Sequence, residues 1–272
     1  MKHHDLGALD GPIMLFGGPY SNVQALDALI KVAADRAIGA DHMICTGDVV
    51  AYCGAPRQSV QRVRDMGCAV VAGNCEVQLA SGAQDCGCGF EEGSTCDVLS
   101  AGWYGFAASA VSAADTAWMA NLPDIITFTH QGARYGVLHG GISDVSRFVW
   151  GSSDASVFAQ EWRLLEAQVG QVDHVIAGHC GVPFIATTPM GRWINAGVIG
   201  MPPHDGRQQT RFAILDGGDV QIHRLDYDVT GAVQDMVNAR LPMGYRRGLQ
   251  TGYWPSEDVL PLDLRVPSLA SG

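Results

Sequence analysis

The chain has 272 residues, 47% hydrophobic and 17% charged, which describes an ordinary globular protein with room for one large core or two small ones. Seventeen Lys and Arg against 28 Asp and Glu give a formal charge of -11 with no basic stripe, so neither nucleic acid nor an anionic membrane surface is expected as a main partner. No apolar run reaches transmembrane length and Ile13–Phe16 is too short for a signal-peptide core, so a cytoplasmic protein is expected.

After a polar lead-in, residues 12–16 read as a strand. Ser21 or Asn22 caps a helix that sets Val23, Leu26, Leu29, Ile30 and Ala33 on one face. A second strand is expected over 41–50. A helix follows over 57–66, with Val60 and Val63 inward and Gly67 as its stop, and then a third strand over 68–72. This β-α-β-α-β order predicts a parallel sheet with right-handed crossovers. Residues 81–105 are rich in glycine and cysteine without visible period, and so long a connection reads as a functional loop or lid.

Ser112, with Asp115 three residues on, opens a short helix over 112–122. Strands over 134–138 and 172–177 flank a helix that Asp154 caps, running to about Val169 with Phe158, Trp162 and Leu165 inward. RFAILD and DVQIHRLDYD around Gly217-Gly218 read as a β-hairpin. With the strand in RWINAGVIG they are expected to form the antiparallel part of a second sheet. A last helix is expected over 230–240. The proline-containing tail from Leu241 is expected to wrap the surface or a neighbouring subunit, which is compatible with a homodimer. The expected organisation is one domain over 1–240, with the Cys/Gly-rich insertion near 81–105, and a tail over 241–272.

Four of the strand-like runs end in a residue able to hold a metal: MICTGD in Asp48, AVVAGN in Asn74, YGVLHG near His139 and HVIAGH in His179. Each is a short apolar run that breaks at a glycine, which delivers one side chain to the carboxyl-end rim of a sheet. Singly, such residues often hydrogen-bond a turn. As a set, one carboxylate, one amide oxygen and two imidazoles suit a divalent transition metal with an open position.

The order Gly47-Asp48, Gly73-Asn74, His139-Gly140, Gly178-His179, together with Asn22 and QALDAL, VVAYCGAP after Asp48 and INAGVIGMPPHDGR, resembles the calcineurin-like metallophosphoesterases. The resemblance spans roughly residues 12–228 and is to the bacterial phosphodiesterase and diadenosine tetraphosphatase-like branch. It implies an α/β fold, a four-layer α/β/β/α sandwich of two mixed sheets, with a two-metal site between their rims. In that family an Asp-x-His motif, a bridging Asp and the last His of Gly-His-x-His hold the first metal. The second is held by the same Asp, an Asn, a lone His and the first His of Gly-His-x-His.

Here Asp-x-His reads Gly18-Pro19-Tyr20, and Gly-His-x-His reads Gly178-His179-Cys180-Gly181. Three of the first metal's ligands are therefore missing, whereas the second set, Asp48, Asn74, His139 and His179, is complete. The resemblance thus implies one zinc, manganese or iron ion per chain and no organic cofactor. Where the family carries a His before an Asp or Glu, taken to protonate the leaving group, this chain has Cys75-Glu76. Asp48, Cys75 and Glu76 are accordingly the catalytic candidates.

Eight cysteines without a secretion signal read as thiols or metal ligands rather than a disulfide framework. Cys45, Cys53 and Cys68 read as small core or loop residues. Cys75, Cys86, Cys88, Cys96 and Cys180 lie just after a candidate ligand or in the loop that follows one. Of these, Cys75, Cys180, Cys86 and Cys88 are candidate thiolate ligands, with ordinary loop positions as the alternative. Tyr20 is expected to fill the space its missing histidine would take. Tyr52 lies four residues after Asp48, one too many for the phenolate ligand of some superfamily members. His3, His4 and His204 read as solvated surface histidines. Arg207, Arg211, Arg246 and Arg247 could hold phosphate oxygens or be ordinary surface charge.

Two functions remain open. One is a metal-dependent phosphoesterase with an altered, single-metal site, acting on a phosphate-containing small molecule or a phosphoprotein. Its bond could be a phosphomonoester, a phosphodiester or a nucleotide anhydride. The other is a catalytically impaired member of the family that binds a metal or phosphate ligand and responds to thiol chemistry.

Overall fold

The computed structural model describes residues 1–88 and 93–266. Strands too apolar to face water form its centre. Ile13–Phe16 (β2) and Met43–Cys45 (β3) are buried along their whole length, as parallel strands covered on both faces must be. They pair in parallel with each other, and Ala69–Val70 (β4) continues the parallel order. On the other side of β2 the hairpin Thr210–Asp216 (β10) and Asp219–Leu225 (β11) adds two antiparallel strands, giving the order β11-β10-β2-β3-β4.

The second sheet contains His3–Ala8 (β1), Ile125–His130 (β5), Ala133–Val137 (β6), His174–Ala177 (β7), Phe184–Thr188 (β8) and Gly191–Asn195 (β9) in the order β1-β5-β6-β7-β9-β8. Its centre, β6-β7-β9, is parallel and the pairs β5-β6 and β8-β9 are antiparallel. Leu15, Ile44 and Val71 of the first sheet meet Phe128, Val137, Ile176 and Ile194 of the second in the core between them. Both sheets are therefore mixed.

Helices close the outer faces. Val23–Asp35 (α1) and Pro56–Met66 (α2) press Leu26, Leu29, Val60 and Val63 against the first sheet. Asn22 caps α1 by accepting from the Ala25 amide at 3.1 Å, and its Nδ2 donates to the Gly200 carbonyl. Gly67, at φ 73°, ends α2 in the left-handed conformation. Asn74–Ser81 (α3), Thr95–Ala110 (α4) and Ala113–Met119 (α5) follow, and α5 opens with the Ser112/Asp115 capping box. Ala155–Val169 (α6) covers the second sheet with Phe158, Trp162 and Leu165. Val229–Asn238 (α7) and Met243–Thr251 (α8) complete the layer over the first sheet through Met236 and Leu249. The result is the expected four-layer α/β/β/α arrangement.

Several expectations need correction. The strand in RWINAGVIG, β9, pairs with β7 and β8 rather than with the 217–218 hairpin, so the antiparallel additions are divided between the sheets. Part of the stretch read as a structureless loop is helical, since α4 begins at Thr95; its Gly102 and Gly105 interrupt the apolar period. The polar lead-in contains β1, an exposed edge strand whose HHDLGA sequence has no apolar face to read. The tail contains α8, with Tyr245 and Leu249 buried. Asp154 stands at the N-cap of α6, although its side chain makes no capping bond. Among the described residues no helix is long and apolar enough to cross a membrane.

Candidate metal centre

The two sheets bring their parallel strand pairs to one place. Asp48 and Asn74 lie in the turns after β3 and β4, neighbours in the first sheet, and His139 and His179 follow β6 and β7, neighbours in the second. All four are buried. His139 Nε2 lies 3.1 Å from Asn74 Oδ1, 3.2 Å from His179 Nδ1 and 3.3 Å from Asp48 Oδ2, and His179 Nδ1 lies 3.1 Å from Asn74 Oδ1. Ligands bound to one ion tetrahedrally at about 2.0 Å stand about 3.3 Å apart, so the observed spacings match one zinc-sized ion. Asp48, His139 and His179 have ligand atoms within 4.8 Å of one another and could hold such an ion.

The surroundings orient these atoms. His139 Nδ1 meets the Thr46 carbonyl at 2.5 Å, which assigns the proton to Nδ1 and turns the Nε2 lone pair inward. Asn74 Nδ2 donates to the Cys86 carbonyl at 2.9 Å, so Oδ1 faces the centre. The Phe148 ring packs on His179 at 4.3 Å. Burial, followed by the nearby His139, lowers the His179 pKa to about 3, leaving a neutral imidazole. For His139 burial also acts to lower the pKa, but the Asp48 carboxylate outweighs it and raises the value. Burial would raise Asp48, and His139 and His179 bring it below the ordinary carboxylate range.

Glu76 ties the first sheet's two ligand turns together. Its carboxylate accepts from the amides of Asp48 at 2.7 Å, Val49 at 2.8 Å and Gly73 at 2.9 Å. Burial and Asp48 push its pKa up to about 7, against the pull of those three donors. With both oxygens so engaged, Glu76 acts as a clasp rather than as a proton carrier for substrate. Asp48 and His179 sit at φ 57° and 60°, a left-handed conformation rare outside glycine. A Cβ on Gly47 would lie 2.7 Å from the Gly73 amide, and one on Gly73 would strike the Asp48 carboxylate. Both glycines are needed for the turns to approach this closely.

A cavity of ≈ 50 Å³ opens on the cluster, several times the about 10–15 Å³ that one water needs. Asp48, Asn74 and His179 form part of its wall, with Tyr20, Tyr52 and Cys180 beside them. Tyr20 lines the cavity beside Asp48. Its ring packs edge-on against Tyr52 at 4.7 Å, and burial, then Asp48, raises its pKa well above the phenolic value. Tyr52, set aside on spacing, reaches the cavity nonetheless.

Other candidates are placed differently from expectation. Cys86 and Cys88 form a disulfide, so in this state neither offers a thiolate to a metal. Cys75 is buried against Asp48 and Asn74, does not line the cavity, and has its pKa raised by burial and by Asp48. Cys180 lines the cavity as a thiol whose pKa burial raises to about 12. The side chain of Cys96 lies outside the described residues. Arg211 is turned to Asp205 and to the Gln209 and Thr210 carbonyls, and neither it nor Arg207, Arg246 or Arg247 lines the cavity. His204 is buried rather than solvated: it pairs with Glu257 at 2.8 Å and accepts from the Trp254 amide. His3 bonds Thr127 and His4 is exposed.

Phe148, Met201, Tyr245 and Trp254 also line the cavity, with Cys88 and residues 255, 256 and 259 of the tail. No sequence pattern marks them, although two aromatic residues in an otherwise featureless tail were a usable signal.

Two mixed sheets that place these ligand-type residues at facing strand ends define a metallophosphoesterase-type protein. The description "Calcineurin-like phosphoesterase superfamily domain" matches residues 21–219, and the chain belongs to that superfamily of metal-dependent phosphoesterases. An uncharacterized protein of Methanocaldococcus jannaschii is 23% identical over 82% of this chain and 90% of its own length. Among solved structures, a metallophosphoesterase from Sphaerobacter thermophilus superposes with a TM-score of 0.68 at 20% identity, over 90% of this chain and 100% of its own. A hypothetical protein from Pyrococcus horikoshii gives 0.71 at 16% identity, over 90% and 98%. A putative diadenosine tetraphosphatase gives 0.50 at 14% identity, over 83% and 98%.

Two predictions follow from the cluster's electrostatics. Glu76→Ala strands three buried amides and is expected to cost about 2–5 kcal/mol in urea unfolding; a loss below about 0.5 kcal/mol would refute the clasp. The Asp48 carboxylate raises the His139 pKa, so protons compete with a metal for Nε2 up to a higher pH than they would at a free imidazole. Metal affinity should therefore rise with pH through that raised pKa. Calorimetry in buffers of different ionisation enthalpy should find proton release on metal binding that shrinks as the pH is raised.

Proposed function

We propose that the protein is a metal-dependent phosphoesterase working with a single ion held by Asp48, Asn74, His139 and His179. The observation that carries this is the convergence of four ligand-type side chains, with His139 Nε2 at 3.1–3.3 Å from Asn74, His179 and Asp48 and His179 Nδ1 at 3.1 Å from Asn74, beside a cavity that Tyr20 also lines. Family membership supports the reaction class. Its structural neighbours, among them a metallophosphoesterase and a putative diadenosine tetraphosphatase, support a phosphate-containing substrate.

When bound, the ion supplies a Lewis acid for a phosphoryl oxygen and lowers the pKa of a coordinated water. The protein's own groups supply position and proton control. Asn74 and the two imidazoles are fixed by the Cys86 carbonyl, the Thr46 carbonyl and the Phe148 ring. Tyr20 stays a neutral phenol, held protonated by burial and by Asp48. It can donate a hydrogen bond to a phosphoryl or leaving-group oxygen in the cavity. The enclosing tail limits access of bulk water.

A second reading, a family member that binds without turnover, is favoured by one observation: Cys75 replaces the family's leaving-group acid and does not line the cavity.

Elemental analysis of protein purified without chelator should find about one ion per chain. Protein reloaded with zinc, manganese or iron should hydrolyse p-nitrophenyl phosphate or its bis ester, and Asp48→Asn should lower that by about 100-fold or more. Tyr20→Phe should keep the metal and lose about tenfold in kcat. Two ions per chain would contradict the single-ion site, and equal activity in Asp48→Asn would contradict the metal-dependent reaction. Metal binding without turnover on any ester would favour the second reading.

A further inference from the structure

The cavity wall restricts what can bind beside the ion. Among the described residues the wall's acidic or basic side chains are Asp48 and His179, and a histidine bound to a metal is a neutral imidazole. No Lys or Arg reaches it, and residues 89–92 and 267–272 contain neither. Polyphosphates and phosphomonoesters carry two or more negative charges and are normally met by several cations or Arg forks. Here one divalent ion faces the Asp48 carboxylate, with Glu76 bonded to the Asp48 amide behind it, so at most a single positive charge is left. In a buried, poorly solvated site, a ligand with one negative charge balances it, and each further charge is opposed without compensation.

The remainder of the wall is apolar and flat. Tyr52 and Tyr245 pack ring to ring at 4.4 Å, with Phe148, Met201, Trp254 and Val259 around the same space. Trp254 is fixed there by two hydrogen bonds, one of them to a histidine that is itself anchored. Its amide donates to His204, its indole Nε1 donates to the Pro202 carbonyl at 2.7 Å, and His204 in turn is paired to Glu257. Rigid rings held in this way make a seat for a planar or apolar group.

We infer that this site takes a singly charged phosphate diester carrying a small aromatic or apolar ester group, and discriminates against phosphomonoester dianions and nucleoside polyphosphates. The inference rests on the single-ion reading above. It assigns substrate charge to the missing cations and substrate shape to Tyr52, Tyr245 and Trp254, which touch the ester group and take no part in holding the metal.

Non-hydrolysable ligands separate charge from shape. Zinc-loaded full-length protein is titrated by calorimetry with methylphenylphosphinate (one charge, one ring), phenylphosphonate (two charges, one ring) and dimethylphosphinate (one charge, no ring). The titrations are made at a pH where the phosphonate is doubly ionised. Methylphenylphosphinate should bind about tenfold or more tightly than either of the others. Trp254→Leu should weaken it while leaving dimethylphosphinate unchanged. In turnover, methyl p-nitrophenyl phosphate should exceed p-nitrophenyl phosphate in kcat/KM, the leaving group being the same.

Equal or tighter binding of phenylphosphonate overturns the charge assignment, and equal binding of dimethylphosphinate overturns the aromatic seat. Failure of all three to bind overturns both. If the phosphinate order holds but no ester is hydrolysed, the selectivity stands and the catalytic reading falls.

Discussion

One carboxylate holds the site in shape. Glu76 gathers the amides of Asp48, Val49 and Gly73, so the turns after β3 and β4 become a single rigid unit. Everything at the centre depends on that clasp. It helps hold Asp48 in a left-handed conformation that an aspartate would otherwise seldom adopt, and it needs Gly47 and Gly73 because any side chain there would collide. The second sheet uses a related device. Glu161 accepts from the Ile142 and Ser143 amides and the Ser143 hydroxyl, and it pairs with Arg147, which fixes the loop after His139. A buried carboxylate serving backbone donors thus braces a ligand turn in each sheet.

With the turns fixed, the chemistry follows from an imbalance of charge. The centre gathers a carboxylate, an amide oxygen and two imidazole nitrogens, with no lysine or arginine to meet them. The Asp48 carboxylate raises the His139 pKa, while burial, then His139, lowers that of His179. Tyr20 adds a phenol that cannot ionise beside Asp48. Tyr20 and Tyr52 thus pack together on the cavity wall beside the ligand-type residues.

Much of this was legible because the informative signals were local. An apolar run that ends in Gly-Asp, Gly-Asn or Gly-His exposes a strand end without reference to the rest of the chain, and the order of those ends carried the family. The caps at Asn22, Gly67 and Ser112 were readable for the same reason. What stayed hidden depends on distant contacts. The exposed edge strand β1 has no apolar rhythm, and the place of β9 is decided by β7, not by the hairpin that follows it. His204 reads as a surface residue until Glu257 and Trp254, some fifty positions later, fold back on it. The cysteines of 86–88 were read as thiols because their pairing with each other is a geometric fact rather than a compositional one.

The division of the cluster between sheets has a consequence beyond chemistry. Each sheet gives two of the four ligand-type residues, and Asn74 and His179, in contact across the sheets, lie 105 residues apart. A bound ion therefore acts as a removable crosslink that closes a very long loop, restraining the unfolded chain much as a covalent bridge would. Its hold is set by the free concentration of the metal rather than by the redox state of the surroundings. If such an ion is bound, its removal would leave the two sheets less firmly joined and the chain more open to proteolysis.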